Sequence, residues 1–198
     1  MRRLLFLLTT LLAAPALHAQ AVEIYGTLSD VHATNVPTNV PTPYVCPVNV
    51  LPCTTPPPTY AGVNAFNPGG GVTVNFLRLP VLKLGVDVRG SHHTGTNGAN
   101  TALAGLKLTV KPPAFRASPY LQGSAGYLGT SYNGVSGGST PPATHTYFVT
   151  ELLAGIDLPL LSILDLRLIE IGGGHALNSA GGSKPTFLTI GSGLVLHF

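Results

Sequence analysis

The chain has 198 residues, 9% of them charged and 44% hydrophobic, with a mean hydropathy of +0.35. That is oily for a water-soluble domain, yet no apolar run reaches the ~20 residues a helix needs to cross a bilayer. Arg2 and Arg3 belong to the amino-terminal leader, which leaves eight basic against seven acidic residues in the remainder and excludes a basic footprint for nucleic acid.

Met1-Arg2-Arg3 is followed by the apolar stretch Leu4 to Leu12 and by small residues up to Ala19. A charged, an apolar and a small-residue region in that order predict a secretory signal over 1–19, with 20–198 as the mature domain. Hydrocarbon offers no partner for backbone N–H and C=O groups, so a chain that alternates apolar and small or polar residues crosses it only as a closed sheet. Eight such segments follow in order: 22–32, 71–79, 82–92, 102–111, 119–131, 146–157, 165–174 and 186–198. The fold class predicted is all-β, an eight-stranded antiparallel up-and-down transmembrane barrel.

The connections alternate in length. Around Pro80, over 112–118 and over 158–164 they are short, whereas 33–70, 93–101, 132–145 and 175–185 are long and rich in Gly, Pro, Ser, Thr and Asn. Short turns at the periplasmic end and long loops outside are the rhythm of outer-membrane barrels. The prolines of the first long loop, from Pro37 to Pro58, remove ladder donors. Within that loop Cys46 and Cys53, exported through an oxidising compartment, are expected to pair as a local disulfide.

Period two also assigns the lumen. Lys83, Gly85, Asp87 and Arg89 share a face opposite Leu82, Leu84, Val86 and Val88, and Gly105, Lys107, Thr109 and Lys111 oppose Leu106, Leu108 and Val110. In the sixth segment Glu151, Gly155 and Asp157 oppose Phe148, Leu152, Ala154 and Ile156. In the seventh, Asp165 and Arg167 point inward, but strict alternation would put Glu170 in lipid. One extra residue, a β-bulge at Ile169-Glu170, would turn Glu170 inward. Charges withdrawn from water are costly unless paired, so a salt-bridged plug is expected from Lys83, Asp87, Arg89, Lys107, Lys111, Glu151, Asp157, Asp165, Arg167 and Glu170. Asp87, Lys107, Glu151 and Glu170 are expected near mid-height, and Lys83, Lys111, Asp157, Asp165 and Arg167 nearer the periplasmic rim.

Carboxylates gathered in a cavity can do acid–base chemistry, but bases accompany Glu151, Asp157, Asp165 and Glu170, and structural ion pairing is the expectation. No serine sits on a nucleophile elbow. The chain is therefore expected not to be an enzyme, with no cofactor and no metal. His32, His92, His93, His145 and His175 fall near outer strand ends without ligand spacing, and independent solvated residues are expected. Gly172-Gly173-Gly174 lacks the Lys-Ser/Thr of a phosphate loop and is expected to end its strand. Tyr25, Tyr120, Tyr127, Phe76, Phe148 and Phe198 are candidates for interfacial aromatic belts.

The stretches Val72-Thr-Val-Asn-Phe76, Leu82 to Gly90, Tyr120 to Tyr127, Asp165 to Gly172 and the terminal strand ending in Phe198 resemble those of small OmpA/OmpX-type outer-membrane β-barrel proteins and the outer membrane protein beta-barrel domain family. That resemblance implies an integral outer-membrane protein with lipid and the barrel assembly machinery as partners, and Phe198 read as the insertion signal. It also implies a structural or surface-interaction role through outer loops that meet an extracellular ligand. Proteins of this likeness also include narrow small-solute channels and membrane enzymes. A soluble secreted ligand-binding barrel, by contrast, would hold its oily face inside.

Overall fold

The structure, a computed structural model, describes residues 22–38, 60–95, 97–132, 143–179 and 182–198. The 1–19 signal and the Cys46–Cys53 pair lie outside the described residues. Eight strands run in chain order: β1 (Val22–Pro37), β2 (Tyr60–Leu79), β3 (Leu82–Ser91), β4 (Gly98–Val110), β5 (Ser118–Tyr132), β6 (Ala143–Leu161), β7 (Leu164–Ala176) and β8 (Thr186–His197). Each pairs antiparallel with the next, and β1 pairs with β8 from Glu23↔His197 to Thr34↔Thr186, so the sheet closes and leaves no edge.

The alternation decides which face meets lipid. Ile24 and Leu28 on β1, Val72, Val74 and Phe76 on β2, Val86 and Val88 on β3, Leu106 on β4, Leu152 on β6 and Leu188, Ile190, Leu194 and Leu196 on β8 all point outward and are exposed. Their inward neighbours are mostly polar and buried, Glu23, Thr27, Thr73, Lys83, Asp87, Lys107, Glu151 and Thr189 among them. A soluble barrel would be built the other way round. The apolar belt needs a hydrocarbon solvent, because it leaves far more contiguous oily surface than water tolerates.

Several strands are longer than the alternating pattern indicated. The loop expected over 33–70 is shortened at both ends, because β1 runs on to Pro37 and β2 begins at Tyr60. Val63, Ala65 and Asn67 keep period two and face inward through that stretch. The ladder continues past Pro68 because its carbonyl still accepts from His92 N at 3.0 Å, just where β3 has ended. Likewise β4 starts at Gly98 inside the loop expected over 93–101, and β6 covers 143–161. The triple glycine does not end β7, which continues to Ala176. Membrane strands need ~9–11 residues, and β1, β2, β5 and β6 have 16, 20, 15 and 19. The β1–β2 and β5–β6 hairpins, on opposite sides of the ring, therefore rise beyond the bilayer as two walls.

The bulge in β7 sits one residue earlier than expected. Ile156 pairs with Ile169 and Asp157 with Arg167, and on the other side Arg167 pairs with Gly193 and Glu170 with Gly191. Leu168 and Ile169 therefore both face lipid, and Glu170 turns inward with Ile171 outward. Either apolar residue can occupy the extra outward position at no solvation cost, so the bulge settles where two leucine-like side chains are adjacent.

Candidate functional site

The candidate site is the lumen with its two mouths. Inner-face residues of neighbouring strands interleave large with small. Tyr25 lies across Gly71 and Tyr120 across Gly155, and a Cβ on either glycine would run into the tyrosine ring. The interior is thereby wide enough at those levels for aromatic rings to lie flat. Tyr25 and Tyr120 are thus lumenal, a correction to their expected place in an interfacial belt, whereas Tyr127, Phe76, Phe148 and Phe198 do face outward. A period-two reading anchored on Ile24 and Leu121 would have found both tyrosines.

At the periplasmic half, charges of opposite sign are strung together. Lys83 Nζ lies 3.2 Å from Glu23 Oε1, and Lys107 Nζ lies 3.2 Å from Glu23 Oε2 and 3.5 Å from Asp157 Oδ2. Arg167 then donates from Nε to Asp157 Oδ1 at 3.0 Å and from Nη1 to Glu170 Oε2 at 3.1 Å. Arg89 Nη2 completes the chain at 2.5 Å from Glu170 Oε1. Seven ionic side chains from β1, β3, β4, β6 and β7 so cross the lumen and return to β3. Lys83, Asp157 and Arg167, expected nearer the rim, are thereby linked with Lys107 and Glu170, expected at mid-height. The hub, Glu23, escaped the sequence reading, although its parity with Thr27 and Ser29 opposite Ile24 and Leu28 marks it as inward.

Aromatic and neutral groups complete the plug. Arg167 stacks with its Cζ 4.4 Å from the Tyr25 ring centre and 4.8 Å from that of Tyr120, and Lys107 Nζ is 4.5 Å from Tyr120. Each ring face thus adds a cation–π attraction in a desolvated setting. Tyr120 also donates its hydroxyl to Glu170 Oε2 at 2.7 Å. Asp87 has no cation within salt-bridge distance among the described residues. Its carboxylate accepts instead from Tyr25 OH, Thr73 Oγ1 at 2.6 Å and Gln122 Nε2 at 2.7 Å. Glu151, also buried, joins no salt bridge among the described residues. At the periplasmic rim Asp165 Oδ2 lies 2.8 Å from His197 Nε2, and Lys111 stands beside Lys83, with Asp165 in the same cavity wall but beyond ion-pair distance.

Towards the outer end the lumen changes character. Val31, Ala33 and Val63, Leu103 and Leu128, and Tyr147, Val149 and Phe187 form a buried apolar cluster. These residues come from the outer ends of β1, β4, β5 and the beginnings of β2, β6 and β8, so they form a cap above the ionic layer. Its inward residues are as oily as their outward neighbours, which erases the alternation and hides the cap from a sequence reading. The outer-end histidines are spread apart. His92 stacks on His93 at 5.3 Å, His93 contacts Asn100 and Ser131, His32 meets Asn64, and His145 lies against Tyr147. Nothing among the described residues gathers three metal-ligating side chains.

No protein-family model matches the chain, and no curated protein matches it in sequence. Among solved structures it is similar to Neisserial surface protein A, with 12% identity and a TM-score of 0.55 over 91% of this chain and 99% of that one. Other similar structures are the outer membrane protease OmpT from Escherichia coli (8% identity, TM-score 0.44, 92% and 99% covered) and the amino-terminal β-barrel domain of Pseudomonas aeruginosa OprF (10%, 0.41, 89% and 99%). The likeness concerns architecture and conveys no activity. With its oily composition explained by a lipid-facing belt, the chain has the fold of a small outer-membrane barrel, eight antiparallel strands closed in one ring, an architecture it shares with Neisserial surface protein A.

Proposed function

We propose that the chain works as a non-conducting, non-enzymatic outer-membrane barrel that offers its outer hairpins and loops to an extracellular ligand. The observation that carries this reading is the apolar cap from Val31 to Phe187 across the outer end, stacked on the ionic layer. Water entering from outside would have to wet a mostly aliphatic cluster, and ions would also have to break buried pairs. Except for Glu151, one of whose oxygens has no hydrogen-bond partner, the carboxylates of the ionic layer are engaged by cations, hydroxyls or an amide, and they lie beneath that cap, away from any outside substrate. Support for a surface role comes from the tall β1–β2 and β5–β6 hairpins on opposite sides of the ring. Beside the first of them Tyr60 OH donates to the Gly182 carbonyl at 3.2 Å and Ser183 Oγ to the Asn35 carbonyl, tying the β7–β8 connection to that hairpin.

Planar-bilayer recording of the purified, refolded protein tests the closed lumen. The expected record is flat, with no unitary steps at protein doses where an open barrel gives them. Reproducible steps that scale with protein would favour a narrow solute channel instead.

A further inference from the structure

The periplasmic mouth holds a cavity of about 270 Å³ between the β4–β5 and β6–β7 connections. Lys111 N donates to the Val81 carbonyl at 2.8 Å, and Phe115 N donates to the Pro112 carbonyl at 3.3 Å, so the turn through Pro112-Pro113 is closed over the rim. Lys111, Arg116, Asp165 and His197 line the cavity together with Phe115 and Leu161, which are exposed, Phe115 to 73%. Neither cation has a carboxylate within ion-pair distance among the described residues. The acid in the cavity wall, Asp165, lies 2.8 Å from His197 Nε2 and beyond ion-pair distance of either cation, and Glu23 is shared by Lys83 and Lys107. Burial first, and then the neighbouring Lys83 ammonium, pull the Lys111 ammonium below the usual lysine range. An anion in the cavity would relieve that repulsion.

The surroundings say what kind of anion. Phe115, Leu161 and Ile163 expose oily side chains at the same rim where Phe198 ends the barrel wall, at the level of the membrane interface. We propose that this mouth binds the phosphate of a phospholipid from the periplasmic leaflet, with Lys111 and Arg116 holding the headgroup and Phe115 and Leu161 covering its first methylenes. Two cations beside apolar side chains match an anionic amphiphile better than a free ion, which would leave the rim wet. The site is separate from the outer face used in the functional proposal and stands without it.

The test is titration of the whole refolded protein in a neutral detergent with dihexanoyl phosphatidylglycerol, with inorganic phosphate and dihexanoyl phosphatidylcholine in parallel. One phosphatidylglycerol per barrel is expected, bound at least tenfold more tightly than inorganic phosphate. Arg116→Gln and Lys111→Gln are each expected to weaken it about fivefold to tenfold, whereas Lys184→Gln at the opposite mouth leaves it unchanged. Phosphatidylglycerol binding untouched by Arg116→Gln would overturn the site. Equal affinity for inorganic phosphate would overturn the lipid assignment, and equal affinity for phosphatidylcholine would overturn the demand for net negative charge. Arg116 is exposed on the turn and lies outside every strand, so that variant decides the matter even if Lys111→Gln fails to fold.

Discussion

Replacing Arg167 by methionine is expected to destabilise the folded barrel by about 3 kcal/mol, the lower end of the range for removing one partner of a buried ion pair. The side chain is 1% exposed, holds Asp157 and Glu170, and lies on two tyrosine rings. Without it, each carboxylate keeps one cation, Asp157 with Lys107 and Glu170 with Arg89, which sets the loss below that of a wholly orphaned charge. Methionine retains much of the packing volume, so the loss reports charge. Combining the change with Asp157→Asn removes the carboxylate left with only the shared Lys107, while Lys107 keeps Glu23 and Arg89 keeps Glu170, and should restore part of the lost stability. The chain has no tryptophan, so unfolding in vesicles is best followed by far-UV circular dichroism and by heat-modifiable gel mobility. A double variant less stable than the sum of the single losses would contradict the charge-balance account.

The second large effect is expected on the other face of the wall. Leu152 sits at the centre of β6 between Gly123 and Gly173, is 61% exposed, and has lipid as its only environment. Leu152→Arg is expected to cost about 2–4 kcal/mol, the range for a cation placed on the lipid face near the bilayer midplane. Phe115→Arg, out on the periplasmic turn, is expected to cost well under 1 kcal/mol because its side chain reaches water. The same unfolding assay in vesicles reads both. Equal losses, or a Leu152→Arg barrel as stable as the parent, would mean that the apolar belt is not in hydrocarbon.

What could be read from the sequence follows from where the two faces differ chemically. In β3 and β4, leucines and valines alternate with Lys83, Asp87 and Lys107, and the inward assignment is immediate. In β1, Glu23 and Tyr25 obey the same parity, but an acid at the very start of the first strand and an aromatic suited to an interface each suggest another place. The hub of the ion network and its stacking platform therefore came only with the register against β2 and β8. The outer cap was hidden for the opposite reason, since Val31, Ala33 and Val63 are apolar on a face expected to be polar. Strand ends were obscured by Pro37, Pro68 and the glycines of 69–71, residues that usually mark loops but here lie on a ladder continuing past the membrane. The bulge was demanded by the carboxylate of Glu170, while its position within Leu166 to Ile169 was not, because an apolar run gives no preference among its members.

The closed lumen is the claim on which the functional reading depends, and thiol accessibility tests it most directly. In a chain with Cys46→Ser and Cys53→Ser, single replacements Ser29→Cys, Ser124→Cys and Thr189→Cys place a near-isosteric thiol on the inner face of β1, β5 and β8, with Ala114→Cys on the periplasmic turn as the accessible reference. Exposed to a charged, water-soluble methanethiosulfonate reagent in lipid vesicles, the reference thiol should react at once, and the three inner thiols should stay unmodified until the barrel is unfolded. Prompt modification of the inner thiols in the folded barrel would show a water-filled path through the lumen and would contradict the account.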